Sequence, residues 1–214
     1  MPEAKAVKVL IVDAHPLFIR GLAALIESKP EYKVAGEAST PDDALTIAKK
    51  EKPNLAIMEI NLGDESGMDL ITRLKSQNPD TAILVLSTYD ERCYAERVLR
   101  LGARGYVMKT EPAAKVLDAV KAITSGKVYV SDAGESPRTG KDWSVSLRKL
   151  SDRELQVFSC IGKGLGTGEI ARKFDLSVKT VDSHKEHLKL KFNCNSSREL
   201  TQLAIEWANH PGNP

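Results

Sequence analysis

The stretch Asn54-Leu55-Ala56-Ile57-Met58-Glu59-Ile60-Asn61 carries an unbroken apolar run into a single carboxylate. Apolar residues that do not alternate with polar ones belong to a strand covered on both faces, the usual condition of a parallel sheet. Four further runs, Val7–Val12, 32–36, 82–86 and Gly105–Met108, join 54–60 to make five predicted strands. Helical patterns separate them at 17–28, from Thr40 onward, at 68–76, at 91–101 and at 113–125. In Thr40-Pro41-Asp42-Asp43 a capping hydroxyl precedes a first-turn proline and two acids at the positive end of the helix dipole. Thr110-Glu111-Pro112 opens the last helix. Five strand-helix pairs in about 120 residues predict an α/β fold. It is a five-stranded parallel (βα)5 sheet with right-handed crossovers and helices on both faces.

In such a sheet the functional crevice lies at the carboxyl ends of the strands. Asp13 closes the first strand, Glu59 the third, Ser87-Thr88 the fourth and Lys109 the fifth. One polar strand end means only that it meets solvent, whereas acids, a hydroxyl and a lysine on one edge suit a phosphoryl group and a divalent cation.

The chain has 214 residues, 42% hydrophobic and 28% charged, an ordinary globular balance and enough length for two small domains. Residues 131–146 hold turn formers and charges without apolar periodicity and read as a linker, with Trp143 free to dock it. The expected division is therefore 1–130, a linker at 131–146, and 147–214. Net charge is +2, but from 144 onward 11 Lys and Arg face 8 Asp and Glu, so the positive excess sits in the smaller part and suits an anionic polymer. No apolar run approaches the roughly 18 residues of a membrane span, and Met1-Pro2-Glu3-Ala4-Lys5 lacks the marks of a signal peptide. A cytosolic protein away from the membrane is expected. Cys93, Cys160 and Cys194 form no CxxC pair and read as reduced thiols.

The C-terminal part consists of helix signals. Ser151-Asp152-Arg153-Glu154 is a predicted capping box, and Leu155, Val157, Phe158 and Ile161 follow on a buried face. Glycines from Gly162 to Gly168 break the pattern before a second helix at 169–174. Ser177 caps a third over 178–192, and a second capping box, Ser196-Ser197-Arg198-Glu199, starts a fourth with Leu200, Leu203, Ala204 and Trp207. A small all-α four-helix domain with a short turn between its second and third helices is a helix-turn-helix unit, whose third helix enters the DNA major groove.

Two resemblances follow. The order VLIVD, HPLF, the strand ending at Glu59, Gly67-Met68-Asp69, LVLST and GARGYVMK resembles the receiver domain of two-component response regulators over nearly all of residues 7 to 125. Leu150-Ser151-Asp152-Arg153-Glu154, Glu169-Ile170-Ala171 and Lys179-Thr180-Val181-Asp182-Ser183-His184 are similar to the LuxR-type (NarL/FixJ) helix-turn-helix domain over about 147–208. The first resemblance implies an acidic pair that binds magnesium, an aspartate that accepts phosphoryl from a histidine kinase, and a hydroxyl and a lysine that report the change. By position Asp13 is the first acid, Ser87 the hydroxyl, Lys109 the lysine and Tyr106 the aromatic switch.

Two positions depart from that pattern. The second acid is Ala14, which ligates nothing, and the phosphoacceptor is Glu59, one methylene longer than aspartate. Magnesium demands near-ideal octahedral oxygen geometry, so both changes weaken the same site. The following loop lacks the usual Met-Pro and adds Asp64 and Glu65. Conventional phosphorylation is therefore expected to be absent or very slow, which puts a histidine kinase partner in doubt. Glu59 either imitates a phosphoryl group toward Ser87 and Lys109 or is a leftover acid paired with Lys109; the sequence leaves both open.

For DNA, helical spacing that buries Val181 and Leu188 places Asp182, Ser183, Lys185, Glu186 and Lys189 on or beside the exposed face, with Lys179 and Thr180 near a phosphate. Asp182 and Glu186 can accept from cytosine amino groups, yet repel phosphates if misaligned. Binding to double-stranded DNA as a homodimer is expected, and the stripe of Leu200, Leu203 and Trp207 serves either the dimer or the domain's own core. His184 and His187 lack a third ligand and read as helix-packing or phosphate-contact residues rather than metal ligands. The expected function is a DNA-binding transcriptional regulator of the response-regulator type without conventional phosphorylation, and the alternative is a protein-interaction adaptor with weakened DNA binding. No enzyme activity, cofactor or resident metal is expected.

Overall fold

In the computed structural model, residues 6–62, 65–89, 91–131, 147 and 149–209 are described, with only the backbone given for 65, 66 and 92. The chain divides into two compact units, Met1–Gly134 and Glu135–Pro214.

The first unit is built on strands β1 (Val7–Val12), β2 (Tyr32–Ala38), β3 (Leu55–Met58), β6 (Ala82–Ser87), β7 (Gly105–Met108) and β8 (Tyr129–Val130). They form one sheet in the order β2-β1-β3-β6-β7-β8, and every pairing is parallel. Helices α1 (Pro16–Glu27), α2 (Pro41–Glu51), α3 (Gly67–Gln77), α4 (Glu91–Arg100) and α5 (Ala113–Thr124) connect them. The chain steps outward from β1 to β2 and in the opposite direction from β3 to β6, so the switch point where crevices form lies between β1 and β3.

Strand periodicity sorts the core. Val9, Ile11, Leu55, Ile57, Leu84, Leu86 and Val107 point to one side and pack with Ile19, Leu22 and Ile26 of α1 and Val116, Val120 and Ile123 of α5. The alternate set, including Leu10, Ala56, Met58, Ile83, Val85 and Tyr106, is equally buried. Each fully buried aliphatic side chain contributes about 1.5–3 kcal/mol of transfer energy, which fixes the strand ends in space.

Three differences from the sequence reading have simple causes. A sixth strand, Tyr129–Val130, pairs with β7, because two residues are too few to show periodicity. β2 runs on to Ala38, and β3 ends at Met58, which leaves Glu59 outside the ladder. An antiparallel pair, β4 (Asn61–Leu62) with β5 (Glu65–Ser66), follows Glu59.

The second unit contains α6 (Asp152–Gly162), α7 (Thr167–Lys173), α8 (Val178–Phe192) and α9 (Ser197–Ala208) among the described residues. Ser151 and Glu154 complete the capping box: the Ser151 hydroxyl accepts from the Glu154 N–H, and the Glu154 carboxylate accepts from the Ser151 N–H at 2.6 Å. Ser196 accepts from the Glu199 N–H, but the Glu199 carboxylate takes the Asn195 N–H, so this is half a box displaced by one residue. Phe158 packs at the centre, 4.6 Å from the Phe192 ring and 5.3 Å from Trp207. Gly162 permits the close approach of α9, since a Cβ there would stand 2.5 Å from the Ala204 carbonyl oxygen. Of the stripe on α9, Leu200 and Trp207 are buried and Leu203 is half-buried, so Leu200 and Trp207 serve the unit's own core together with Ala204. Trp143 and residues 132–146 lie outside the described residues.

Candidate functional site

Asp13, Glu59, Ser87 and Lys109 converge at the carboxyl edge of the sheet. Asp13 is 2% exposed, Glu59 3% and Ser87 0%. Burial obliges each polar group to find a partner. One Glu59 oxygen accepts from the Ser87 hydroxyl, from the Ile60 N–H at 2.6 Å and from the Asn61 N–H at 3.2 Å. The other meets the Lys109 ammonium at 3.1 Å and the Thr88 N–H at 3.4 Å. Asp13 is equally committed: one oxygen pairs with Lys109, and the other accepts from the His15 N–H at 2.9 Å and lies 3.0 Å from His15 Nδ1. Lys109 thus bridges two buried carboxylates while resting 4.2 Å over the Phe18 ring.

The loop after Glu59 is held in place by Gly67, whose N–H donates to the Ile60 carbonyl at 2.9 Å. A Cβ on Gly67 would stand 2.5 Å from Ile60 Cα and 2.6 Å from the Glu59 carbonyl oxygen, so the α3 start and the acidic loop can touch only with glycine here. Gly63 and Asp64 lie outside the described residues, and the Glu65 side chain is not described, so their expected charge at this edge has no structural account.

These residues do not fit a magnesium site. Ala14 offers no oxygen, all four oxygens of Asp13 and Glu59 already have partners, and the centre between the two acids holds the Lys109 ammonium. Among the described residues, no group of three or more His, Cys, Asp or Glu could hold a metal.

The edge is connected to its surroundings through Ser87. The Tyr89 N–H donates to Ser87 Oγ at 3.3 Å, and the Tyr106 hydroxyl donates to the Tyr89 carbonyl at 2.8 Å. Tyr106 is wholly buried, and desolvation drives its phenol well above the ordinary tyrosine range, so it acts as a neutral donor. At the start of α4, buried Glu91 accepts from the hydroxyl of Ser131, the residue immediately after β8. The sequence reading assigned no role to His15, Phe18, the Thr88 N–H, the Tyr89 carbonyl, Glu91 or Ser131. His15 and Phe18 stood inside a quoted motif, but backbone donors and a pair 40 residues apart leave no local signature.

In the helical unit, Val181 and Leu188 are buried as spacing required, and Lys179, Asp182, Ser183 and Glu186 are exposed on the opposite side of α8. Lys185 and Lys189 are only half-buried neighbours of that face and are engaged: Lys185 Nζ donates to Thr167 Oγ1 at 2.7 Å, and Lys189 pairs with Glu186 at 2.8 Å. Thr180 is half-buried at the helix start, where its N–H donates to the Ser177 hydroxyl at 3.0 Å. His187 lies 3.9 Å from Glu154, and among the described residues no metal-competent group includes either histidine.

Comparison with known proteins places both units. Residues 9–121 match the response regulator receiver domain, and 148–204 match the bacterial regulatory proteins of the luxR family. The chain belongs to the LuxR family of DNA-binding response regulators. This response regulator is 32% identical over 210 residues to the oxygen regulatory protein NreC of Staphylococcus carnosus, covering 93% of this chain and 97% of the relative. It is 35% identical over 200 residues to a putative transcriptional regulator of Pseudomonas aeruginosa, covering 92% and 96%. Among solved structures, the Salmonella typhimurium response regulator RcsB shares the fold, with a TM-score of 0.73 at 24% identity over 95% of this chain and 98% of that one. No helix among the described residues is long and apolar enough to cross a membrane.

Proposed function

We propose that this response regulator controls transcription without aspartyl phosphorylation: Glu59 stands in for the phosphorylated side chain and holds the receiver in an active-like arrangement. One observation carries the reading. The Glu59 carboxylate already gathers the Ser87 hydroxyl, the Thr88 N–H and the Lys109 ammonium, the groups that would otherwise converge on a phosphoryl group. A carboxylate brings one charge and two acceptor oxygens where a phosphate brings roughly two charges and three oxygens. The two extra donors from Ile60 and Asn61 compensate by fixing the carboxylate in place. Lys109 supplies between Asp13 and Glu59 the positive charge that a divalent ion would otherwise bring. Input then comes from a partner, a ligand or dimerisation, or the protein is constitutively active.

Output is double-stranded DNA bound through α8 by a homodimer on two half-sites. Since Leu200 and Trp207 of α9 face inward, the dimer closes on residues other than these two. The test is incubation with acetyl phosphate and magnesium, read by intact mass, alongside DNA retention by untreated full-length protein. Retention without a phosphoryl adduct is expected; stoichiometric modification at Glu59 would overturn the reading. The adaptor alternative draws on a specific observation: Lys185, Lys189 and Lys191 of α8 are all tied to groups within the unit. Salt-sensitive retention on DNA would exclude it.

A further inference from the structure

The outward edge of α8 has an unusual chemical polarity for a surface that meets DNA. Successive turns place Lys179, Ser183 and Glu186 along one line, with Asp182 beside it, and all four are exposed. The Ser183 hydroxyl proton is spent on the Lys179 carbonyl at 3.0 Å, so toward solvent Ser183 presents lone pairs. Asp182 and Glu186 are carboxylates and only accept. Lys189 neutralises part of the Glu186 charge through one oxygen and leaves the other free to face outward. Lys185, which would bring a donor to this edge, is turned to Thr167. Three consecutive contact positions therefore offer acceptors alone, while Lys179 stands at the helix start, where a phosphate contact fits.

Major-groove edges answer this polarity unequally. Guanine shows two acceptors, N7 and O6, and thymine shows O4, so all of these repel a carboxylate. Adenine carries an amino donor beside the N7 lone pair, whereas cytosine carries its N4 amino donor beside a C–H. Cytosine is thus the base whose edge fits a carboxylate without a competing lone pair. Asp182 and Glu186 are four residues apart, about 6 Å along the helix, which corresponds to one or two base-pair steps of about 3.4 Å.

We propose that Asp182 and Glu186, supported by Ser183, form an acceptor-only reading face that selects two cytosines one to two base pairs apart in each half-site. The inference rests on the DNA-binding reading above and adds the base identity. A glutamine or asparagine in place of either acid provides both a donor and an acceptor, the pattern that matches adenine N6 and N7.

The experiment is selection from a randomised duplex library by untreated full-length protein, with Glu186→Gln and Asp182→Asn in parallel. Wild type is expected to enrich a half-site with cytosine at two positions. Each variant is expected to change one of them to adenine and leave the other, with a preference of about tenfold at each switched position. N4-methylcytosine at the enriched positions is expected to weaken wild-type binding by about tenfold. An enriched site without the two cytosines, or one that both variants leave unaltered, would overturn the inference while the DNA-binding reading stands. No salt-sensitive retention of any duplex would overturn both. Both residues are exposed, and unchanged melting curves separate a change of preference from a loss of fold.

Discussion

Glu59 and Glu154 are both buried glutamates that take backbone N–H donors, a serine hydroxyl nearby and a lysine, yet they sit in different kinds of structure. Glu154 is bound by its own helix start, where the Ser151 N–H is three residues away, and its distant neighbours, Lys191 at 2.6 Å and His187 at 3.9 Å, both come from the single helix α8. Burial alone would raise its pKa, but the hydrogen bonds from Lys191 and Ser151 and the lysine charge outweigh that and hold it below the ordinary carboxylate value. Glu59 takes the Ile60 and Asn61 N–H groups locally but also draws Ser87 and Thr88 from the end of β6 and Lys109 from the end of β7, so three of its five partners belong to segments joined to it only through the sheet. A buried acid satisfied locally pins one element. An acid satisfied by the ends of several strands sets the positions of the loops that follow them, and that is the property a switch requires.

The largest expected effect breaks this comparison at the lysines. Lys109→Met leaves Asp13 and Glu59 buried without their shared cation and should cost about 3–5 kcal/mol in denaturant unfolding. Lys191→Met should cost about 1 kcal/mol or less, because Lys191 is partly exposed and the Ser151 N–H still serves Glu154. Equal losses would mean that the two acids play equivalent structural parts.

The missing chemistry can be restored in steps. Ala14→Asp combined with Glu59→Asp should gain a phosphoryl adduct from acetyl phosphate and magnesium, detected by intact mass. Glu59→Asp alone should gain little, because a single restored carboxylate still leaves the metal short of an oxygen ligand. Labelling of the single variant as full as that of the double would show that Ala14 is not what blocks the metal.

The pH dependence sharpens the helical side. Because the folded Glu154 pKa is lowered from the ordinary 4.5, its stabilising contribution is fully present above 4.5 and is lost as pH falls through the folded value. Glu154→Gln should therefore flatten the acid limb of the helical unit's unfolding, followed by Trp207 fluorescence. An unchanged limb would place the acid sensitivity elsewhere. The smallest effects concern caps: Ser151→Ala and Ser196→Ala should each cost about 1 kcal/mol, with Ser151 the larger because its box is reciprocal and that of Ser196 is not.

What could be read in the sequence follows from the same distinction. Strands such as Leu55–Met58, helix starts such as Ser151 and Ser177, and the buried pair Val181 and Leu188 are encoded by neighbours at spacings of one to seven residues, so periodicity exposes them. The four strand-end residues were legible because strand ends are. Their saturation was not: the Thr88 and Asn61 N–H groups have no side-chain signature, and the Lys109 bridge depends on strand order, which places β1 beside β3. Likewise, a lysine on an exposed face looks free until Thr167 or Glu186 is found within reach of it.

The central claim is that the Glu59 site is already filled, and DNA affinity of the untreated full-length protein before and after addition of beryllofluoride with magnesium tests it most directly. Unchanged affinity is expected, together with a loss of about tenfold for Glu59→Gln, in line with removing one charge-assisted contact of about 1.4 kcal/mol. A rise of tenfold or more on adding beryllofluoride to wild type would contradict it, because it would mean that the site still accepts a phosphoryl mimic and that Glu59 does not replace one.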